Sequence, residues 1–321
     1  MNTAKTNLLA LGLLLTACAA TAQTYPSKPI RIVIPFPPGN TVDVMSRLIA
    51  PKLTERLGQN IIVENRVGGN GQIAMEYGAR AAPDGYTLTA GQGGSMVVMP
   101  HTYKKLSYDP LRDYALIAVS TTNFLGMVVH PSVPFKSARD LINYARANPH
   151  RVSFGSNGEG AFTHLAVESL RLMSGFTYTH VPYKGSAQLT TDLLGGHIDA
   201  AMAGITGLTP MVRSGKLRLL AISSAKRQAS FEGVPTIAET VPGYESGGWF
   251  GYVAPAGTPR DIIVLLNQEI NRAMALPDVK EKLNAAGLIV LNESPEYFAT
   301  LLKNDYAKYA KLVRDIKFEP Q

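Results

Sequence analysis

From residue 30 onward, short apolar runs alternate with amphipathic stretches, and the connections between them are short. Apolar runs of about four to eight residues predict strands, and apolar positions at helical spacing predict helices. The first series predicts strands at 30–35, 61–64 and 86–90 and helices at 42–57 and 72–80. The second predicts helices at 138–147, 162–174, 187–194 and 261–275 and strands at 152–154, 179–182 and 198–202. Such alternation builds parallel sheets covered by helices, an α/β fold. A kink or break is expected near residues 47–51, because Pro51 lies within the first helix.

Two long β-rich runs, at residues 114–129 and 249–254, stand apart from this alternation. Strands of this kind can leave one sheet and enter another, so the pair predicts two α/β lobes joined by two crossover strands around a ligand cleft. An amphipathic helix over residues 298–316 is assigned to the first lobe. The predicted domains are a discontinuous first lobe, 23–122 plus 249–321, and a second lobe, 123–248.

Residues 1–22 are typical of an export signal, because Lys5 precedes an apolar run at 8–15 and small residues follow. The run is too short for a membrane span, which needs about 20 apolar residues. Cleavage after Ala22 is preferred, and lipidation of Cys18 is the alternative. Cys18 is the only cysteine, so a mature chain from residue 23 has no disulfide and no thiol chemistry. The expected location is the periplasm.

The net charge of the chain favours an anionic ligand. The chain has 31 Lys and Arg against 24 Asp and Glu, a formal net charge of +7, and without Lys5 the balance is 30 − 24 = +6. The basic residues are scattered and do not form a stripe interleaved with aromatic residues, so nucleic acid is not a predicted partner. A positive net charge favours encounter with anionic ligands.

Three glycine-rich loops, at residues 36–41, 68–71 and 155–163, lead from predicted strands into helices. The first turn of a helix presents unpaired N–H groups and the positive end of its dipole, which together bind carboxylates. For a single loop, ordinary strand-to-helix turn chemistry is the alternative; the convergence of three loops on one cleft favours binding. Asn40 and Thr41 are expected to cap the first helix. The candidate polar groups at these helix starts are Asn40, Thr41, Ser156, Asn157 and Thr163.

Enzyme motifs have weak support. Residues 69–74 match G-x-G-x-x-A, but the acidic residue of a dinucleotide site is missing, since Asp84 comes too early. Ser156, His164 and Asp199 are the only hydrolase-type trio near the predicted cleft, and no G-x-S-x-G sequence surrounds the serine. The six histidines are far apart and form no H-x-x-x-H pair. No catalytic residue, metal or cofactor is therefore predicted.

Six segments, in their order along the chain, resemble a known family. They are Tyr25-Pro26-Ser27-Lys28-Pro29-Ile30, Phe36-Pro37-Pro38-Gly39, Val63-Glu64-Asn65-Arg66, Pro83-Asp84-Gly85-Tyr86-Thr87-Leu88, Tyr108-Asp109-Pro110 and Ala254-Pro255-Ala256-Gly257-Thr258-Pro259. Together they resemble the Bug family, the extracytoplasmic solute receptors of tripartite tricarboxylate transporters. The resemblance covers essentially the whole chain after residue 22.

The resemblance implies a type II periplasmic binding protein and no enzyme activity. Its two lobes close over a small mono- or dicarboxylate and deliver it to two integral-membrane transporter subunits; a monomer is expected. Asp199 resembles the residue that contacts the ligand's distal polar group, and Ser95 lies in the wall expected at the ligand's far end. The other implied ligand contacts are Phe36, Gly39, Asn40, Thr41, Ser156, Asn157, Gly160 and Thr163.

The sequence departs from the family pattern at two places. Asn40 stands where a second glycine is usual, and residues 91–99 replace a segment that is usually rich in Ser and Thr. Asn tolerates the left-handed conformation better than most residues, so the first loop can keep its shape. The second departure changes the ligand wall, so the ligand's identity does not transfer from relatives. A sensory receptor for a membrane kinase and a serine hydrolase are the alternative functions.

Overall fold

The computed structural model describes residues 25–320, so the expected export signal and Cys18 lie outside the described part. Its strands are β1 (Ile30–Ile34), β2 (Ile61–Asn65), β3 (Thr87–Gln92), β4 (Tyr114–Val129), β5 (Ser153–Ser156), β6 (Thr179–Pro182), β7 (Ala200–Gly204), β8 (Arg218–Ile222), β9 (Gly247–Pro255) and β10 (Leu288–Val290). Its helices are α1 (Thr41–Leu57), α2 (Gln72–Ala79), α3 (Met99–Thr102), α4 (Ala138–Ala147), α5 (Phe162–Ser174), α6 (Ser186–Leu194), α7 (Ile205–Arg213), α8 (Arg260–Ala275), α9 (Pro277–Ala285) and α10 (Pro295–Asp315). A π-helical turn, Gly94–Val98, leads from β3 into α3.

The strands lie in the order β2-β1-β3-β9-β4-β7-β5-β6, and β8 and β10 also pair with β4. β1 is parallel to β2 and β3, and β5 is parallel to β6 and β7. The first part of β4, from Tyr114 to Phe124, pairs with β9 in antiparallel register. Its last part, from Leu125 to Val129, pairs with β7. One strand therefore joins two parallel-stranded units, as its length and β-rich sequence predicted, and the α/β fold class is confirmed.

Each unit has its own apolar core. In the first unit, Ile32 of β1 packs with Ile49 of α1 and Leu266 of α8. In the second, Met127 of β4 and Phe154 of β5 lie in one cluster with residues of α4 and α5. These side chains are essentially inaccessible to solvent, and each contributes about 1.5–3 kcal/mol through burial. Two packed cores on one sheet explain why no disulfide is needed.

Helix α1 runs unbroken from Thr41 to Leu57, so the break expected at Pro51 is wrong. Pro51 lies on the exposed face of the helix, together with Arg47. The carbonyl of Arg47, which loses its intrahelical donor to the proline, can therefore accept a hydrogen bond from water. The helix ends at Gly58, which takes the left-handed conformation (φ 67°) and donates its N–H to the Thr54 carbonyl at 3.0 Å.

Most predicted elements are present within a few residues of their expected bounds, including the long amphipathic helix, which is α10. The sequence patterns missed α3, α7, β8, α9 and β10. In α7 the apolar periodicity is interrupted by Gly207 and Pro210.

Among residues 25–320, no helix combines the length and apolar character needed to cross a bilayer. The two lobe boundaries stay a prediction.

Asn267 fixes α8 to the sheet. It is 8% exposed, and its Nδ2 donates to the Ile117 carbonyl of β4 at 2.8 Å and to the Glu293 carbonyl at 2.9 Å. Asn271 also donates to Glu293, at 3.0 Å. Removing the Asn267 amide therefore leaves the Ile117 carbonyl without this donor in a buried position.

We expect Asn267→Ala to lower the free energy of unfolding by about 1–3 kcal/mol, the usual cost of a buried unpaired carbonyl. Urea unfolding followed by circular dichroism measures the change. Asn284→Ala, at an exposed position of α9, is the matched control and should stay within about 0.5 kcal/mol of the wild type. Equal stability of the two variants would contradict the role given to Asn267.

Candidate functional site

The carboxyl ends of the parallel strands in both units converge on the middle of β4. Gln92, at the end of β3, pairs with Phe250 of β9, which in turn pairs with Thr121 of β4. Gly204, at the end of β7, pairs with Leu125. At about 3.3 Å per residue, roughly 13 Å of β4 separates the two positions. Ligands of α/β sheets bind beyond such strand ends, so this segment marks the candidate site.

The strands beside β3 and β7 bring their loops to the same place. Val33 of β1 pairs with Thr89 of β3, and Gly155 of β5 pairs with Ala201 of β7. The loops that follow β1 and β5 therefore begin level with the ends of β3 and β7. Helices α1, α5 and α7 all start at this edge. The arrangement places helix N-termini from both units around one segment of β4.

Asp43 fixes the loop between β1 and α1. Its carboxylate, 2% exposed, accepts hydrogen bonds from the Gly39 N–H at 2.9 Å, Arg47 Nε at 3.0 Å and Asn65 Nδ2 at 2.8 Å. Burial alone would raise the pKa of Asp43, but these hydrogen bonds and the Arg47 charge outweigh burial and hold the pKa below its ordinary value. Asp43 is therefore ionised, and Arg47 balances its charge.

Asn40 caps α1, as its sequence position predicted. Its Oδ1 accepts the Val42 N–H at 3.2 Å. Its backbone is extended (φ −67°, ψ 157°), and the left-handed residue of the loop is Gly39 (φ 83°). Asn40 therefore replaces the family's glycine without adopting a glycine conformation. Among residues 25–320, no acceptor pairs with the Thr41 N–H in the first turn of the helix.

In the loop after β5, the hydroxyl of Ser156 is used internally. Ser156 is 1% exposed, and its Oγ lies 3.0 Å from the Gly158 carbonyl and 2.7 Å from His180 Nε2. The Gly158 N–H also donates to Oγ, at 3.2 Å. The structure thus gives Ser156 the role of holding the loop in shape, and direct donation to a ligand stays a prediction.

The other polar groups of this loop follow the same pattern. Thr163 Oγ1 accepts the Asn157 N–H at 2.9 Å, and His164 Nδ1 accepts the Gly160 N–H at 3.1 Å. A side chain at Gly160 would collide with Phe318, which lies 2.7 Å from the position of its Cβ. Among the described residues, the buried Oδ1 of Asn157 has no hydrogen-bond partner. Asn157 is therefore the one predicted contact in this loop with an unused side-chain acceptor.

The start of α7 borders the candidate site, and the sequence patterns missed it. Helix α7 begins at Ile205, directly after Gly204. Beyond their chain neighbours and the helix backbone, no atom of the described part of the chain lies within 4 Å of a Cβ built on Gly204 or on Gly207. The first turn therefore borders open space at the end of β7. The available signal was the pair of glycines that flank the helix start.

Two further predicted parts of the site are Ser95, which is buried, and the loop at residues 68–71, which contacts the loop after β1. Ser95 is fully buried in the π-helical turn, and its hydroxyl donates to the Gln92 carbonyl at 3.2 Å. Gly71 lies against the first loop, because its Cβ position is 3.7 Å from the ring of Phe36. Phe36 is partly buried against the first core, and its carbonyl accepts Asn65 Nδ2 at 2.9 Å. The Ser95 hydroxyl is thus used inside the π-helical turn, and its contact with a ligand stays a prediction.

Asp199 lies at the other end of the second unit. Asp199 directly precedes the first residue of β7. Its Oδ2 accepts hydrogen bonds from the Ser153 N–H and the Ser153 hydroxyl, both at 2.8 Å. Ser153 begins β5 and Ser156 ends it, so about 10 Å separates Asp199 from the loop that carries Ser156. The structure does not bring Asp199 to the other candidates. The hydrolase-type trio of Ser156, His164 and Asp199 is therefore not assembled.

His164 and His180, which are far apart in sequence, stack with ring centroids 3.8 Å apart. Burial, together with the neighbouring His180, lowers the pKa of His164 to about 4. Burial also lowers the pKa of His180. Both rings are therefore neutral near pH 7 and add no positive charge to the loop after β5. The helix N-termini remain as the candidate anion-binding groups of the site.

Comparisons with known proteins agree with this architecture. The TctC family model, described as the tripartite tricarboxylate transporter family receptor, matches residues 45–318. The protein BugT of Bordetella pertussis is 35% identical over 301 residues, which cover 93% of this chain and 92% of BugT. These matches confirm the family resemblance carried by the six sequence segments.

Two solved structures of similar proteins contain carboxylates. R. palustris Rpa4515 with adipate matches with a TM-score of 0.85 and 34% identity, covering 92% of this chain and 100% of that one. MatC (Rpa3494) from Rhodopseudomonas palustris with bound malate matches with a TM-score of 0.79 and 28% identity, covering 90% and 100%. The matched family is a family of transporter receptors, and the prediction that the chain is not an enzyme is confirmed on that ground. The chain belongs to the TctC family of tripartite tricarboxylate transporter receptors.

Proposed function

We propose that this protein captures a small mono- or dicarboxylate between two lobes and delivers it to a tripartite tricarboxylate-type membrane transporter. The observation that carries the proposal is the convergence of helix starts from both units on residues 121–125 of β4. Main-chain N–H groups at helix starts prefer anions. The neighbours with adipate and with malate support a carboxylate as the ligand class.

Binding through main-chain N–H groups would select ligands by their negative charge more than by their size. The first turns of α1 and α7 contribute N–H donors and the positive ends of two helix dipoles, and these bind a carboxylate without a dedicated arginine. A dicarboxylate can place one group at each helix start and so contact both units. A monocarboxylate contacts only one of these helix N-termini, and water binds the N–H groups of the other. We therefore favour ligands whose two charged groups span the interval between the helices.

Closure of the two lobes is the proposed mechanism. The boundaries proposed from the sequence, 122/123 and 248/249, fall where Asn123 pairs with Gly248 on the two crossover strands. Asn123 Oδ1 also accepts a hydrogen bond from the Gly248 N–H at 2.9 Å. A second glycine, Gly247, directly precedes Gly248 in β9. Small residues here allow the backbone torsions of both strands to change together. A ligand shifts the equilibrium toward the closed form only by its extra affinity for that form.

Export and delivery are parts of the same proposal. Residues 1–22 carry the features of an export signal, with lipidation at Cys18 as the alternative to cleavage after Ala22. We propose a periplasmic monomer that docks on two integral-membrane subunits once it is closed. The family's description as a transporter receptor supports this assignment.

A calorimetric panel tests the ligand class. We expect linear and hydroxylated dicarboxylates to bind to the protein from residue 23 onward, and the corresponding diamides not to bind, because only the charged groups interact favourably with the helix dipoles. Each diamide is the uncharged control for its acid. Binding of neutral amides or amines, with no carboxylate bound, would refute the proposal.

Gly207 offers a test of the helix-start mechanism. Gly207→Asp places a negative charge in the first turn of α7, where it stabilises the helix but repels a bound carboxylate. We expect dicarboxylate affinity to fall at least tenfold, about 1.4 kcal/mol, with the melting temperature unchanged or raised. Gly207→Asn has nearly the same shape without the charge and should keep most of the affinity.

The pair of variants separates charge from size. If both variants bind as tightly as the wild type, α7 does not take part in ligand capture. If both lose binding equally, crowding rather than charge is responsible, and the electrostatic argument is wrong. Affinities are measured by calorimetry at one fixed, low ionic strength, because salt screens exposed charges.

A further inference from the structure

A second cluster of functional groups lies behind the loop that follows β5. Glu159 of this loop, His164 of α5 and His180 of β6 each offer one ligand atom, and these atoms all lie within 4.8 Å of one another. Glu159 Oε1 is 3.6 Å from His164 Nδ1, and Glu159 Oε2 is 3.1 Å from His180 Nδ1. The side chains come from three successive elements of the second unit.

We propose that Glu159, His164 and His180 form a binding site for a divalent transition-metal ion of the Zn²⁺ type. Zn²⁺ binds imidazole nitrogen and carboxylate oxygen at about 2.0–2.2 Å in tetrahedral geometry. In such a tetrahedron two ligand atoms lie about 3.3 Å apart, from the same bond lengths. Each histidine nitrogen has one Glu159 oxygen near this spacing, Oε1 at 3.6 Å from His164 and Oε2 at 3.1 Å from His180, so a small turn of the carboxylate brings one oxygen toward both. Two histidines and one glutamate also form an established zinc ligand set that leaves one position open.

The surroundings of His180 suit a metal ligand. A metal-bound histidine usually donates its other ring N–H to an oxygen, which fixes the ring. His180 Nε2 lies 2.7 Å from Ser156 Oγ, while its Nδ1 faces Glu159. Ser156 Oγ in turn lies 3.0 Å from the Gly158 carbonyl. His180 can therefore ligate through Nδ1 with its orienting contact already formed.

An ion can reach the cluster from solvent. The three side chains line a cavity of about 600 Å³. Glu159 is 46% exposed, whereas His164 is 7% exposed. The cavity can admit the ion and hold a water molecule in the fourth coordination position. Its other walls include Glu168, Arg171, Tyr178, Lys317, Phe318 and Glu319.

Binding requires a local rearrangement of the His164 ring. The two rings lie parallel, with an interplanar angle of 2°, and an ion lies in the plane of each ring that ligates it. His164 must therefore rotate out of the stack and give up the Gly160 N–H if it ligates through Nδ1, while His180 keeps its contact with Ser156. The bound ion would then connect the loop after β5 to β6. It would thereby restrict the loop that carries Ser156 and Asn157.

Zinc titration tests the site directly. Tag-free protein from residue 23 onward, freed of metal by a chelator, is titrated calorimetrically with ZnCl₂ and with no carboxylate present. We expect one ion per chain for the wild type. Glu159→Gln should weaken binding at least tenfold, and His180→Ala should abolish it. His197→Ala, at a side chain 72% exposed and outside the cluster, is the matched control and should bind as the wild type does.

The outcomes separate this site from the carboxylate site. Because the titration contains no carboxylate, a failure of zinc binding leaves the proposed transport function untouched, and the converse also holds. Circular dichroism checks the fold of each variant, and Glu159→Gln, at a half-exposed position, keeps the test decisive if His180→Ala does not fold. No zinc binding by the wild type, or equal binding by the wild type and Glu159→Gln, would overturn the proposal.

Discussion

The register of β4 is the constraint on which the whole arrangement depends. Its first part is hydrogen-bonded to β9 and its last part to β7, within one continuous strand. Because β3 and β7 reach this strand from opposite directions, their carboxyl ends stop near Thr121 and Leu125. A slip of one residue would exchange the faces of every side chain in the strand, so two buried cores fix the register. The site is thus a consequence of strand pairing.

The polar side chains near the strand ends mainly shape loops. Asp43 holds the Gly39 N–H, and Thr163 holds the Asn157 N–H. With these hydrogen bonds made inside the loops, main-chain N–H groups of the helix first turns, such as that of Thr41, are candidate donors for a ligand. In the proposed function, such a site recognises charge, and the walls of the cleft select the carboxylate. Two similar proteins were solved with different carboxylates, adipate and malate.

Local patterns in the sequence predicted much of the fold. The apolar run of β1, the cap at Asn40 and the long β-rich run of β4 are signals confined to neighbouring residues, and each is confirmed. Asp199 and the pairing of His164 with His180 depend instead on how strands align across the sheet, which spacing along the chain does not contain. Helix α7 was missed because glycine and proline obscure its periodicity. The ligand roles of the predicted site residues stay predictions.

The most direct test of the central claim is a crystal structure of the protein with a bound dicarboxylate. The account predicts density for the ligand over residues 121–125 of β4, with carboxylate oxygens within hydrogen-bond distance of main-chain N–H groups in the first turns of both α1 and α7. A ligand held by only one unit, or bound away from these helix starts, would contradict it.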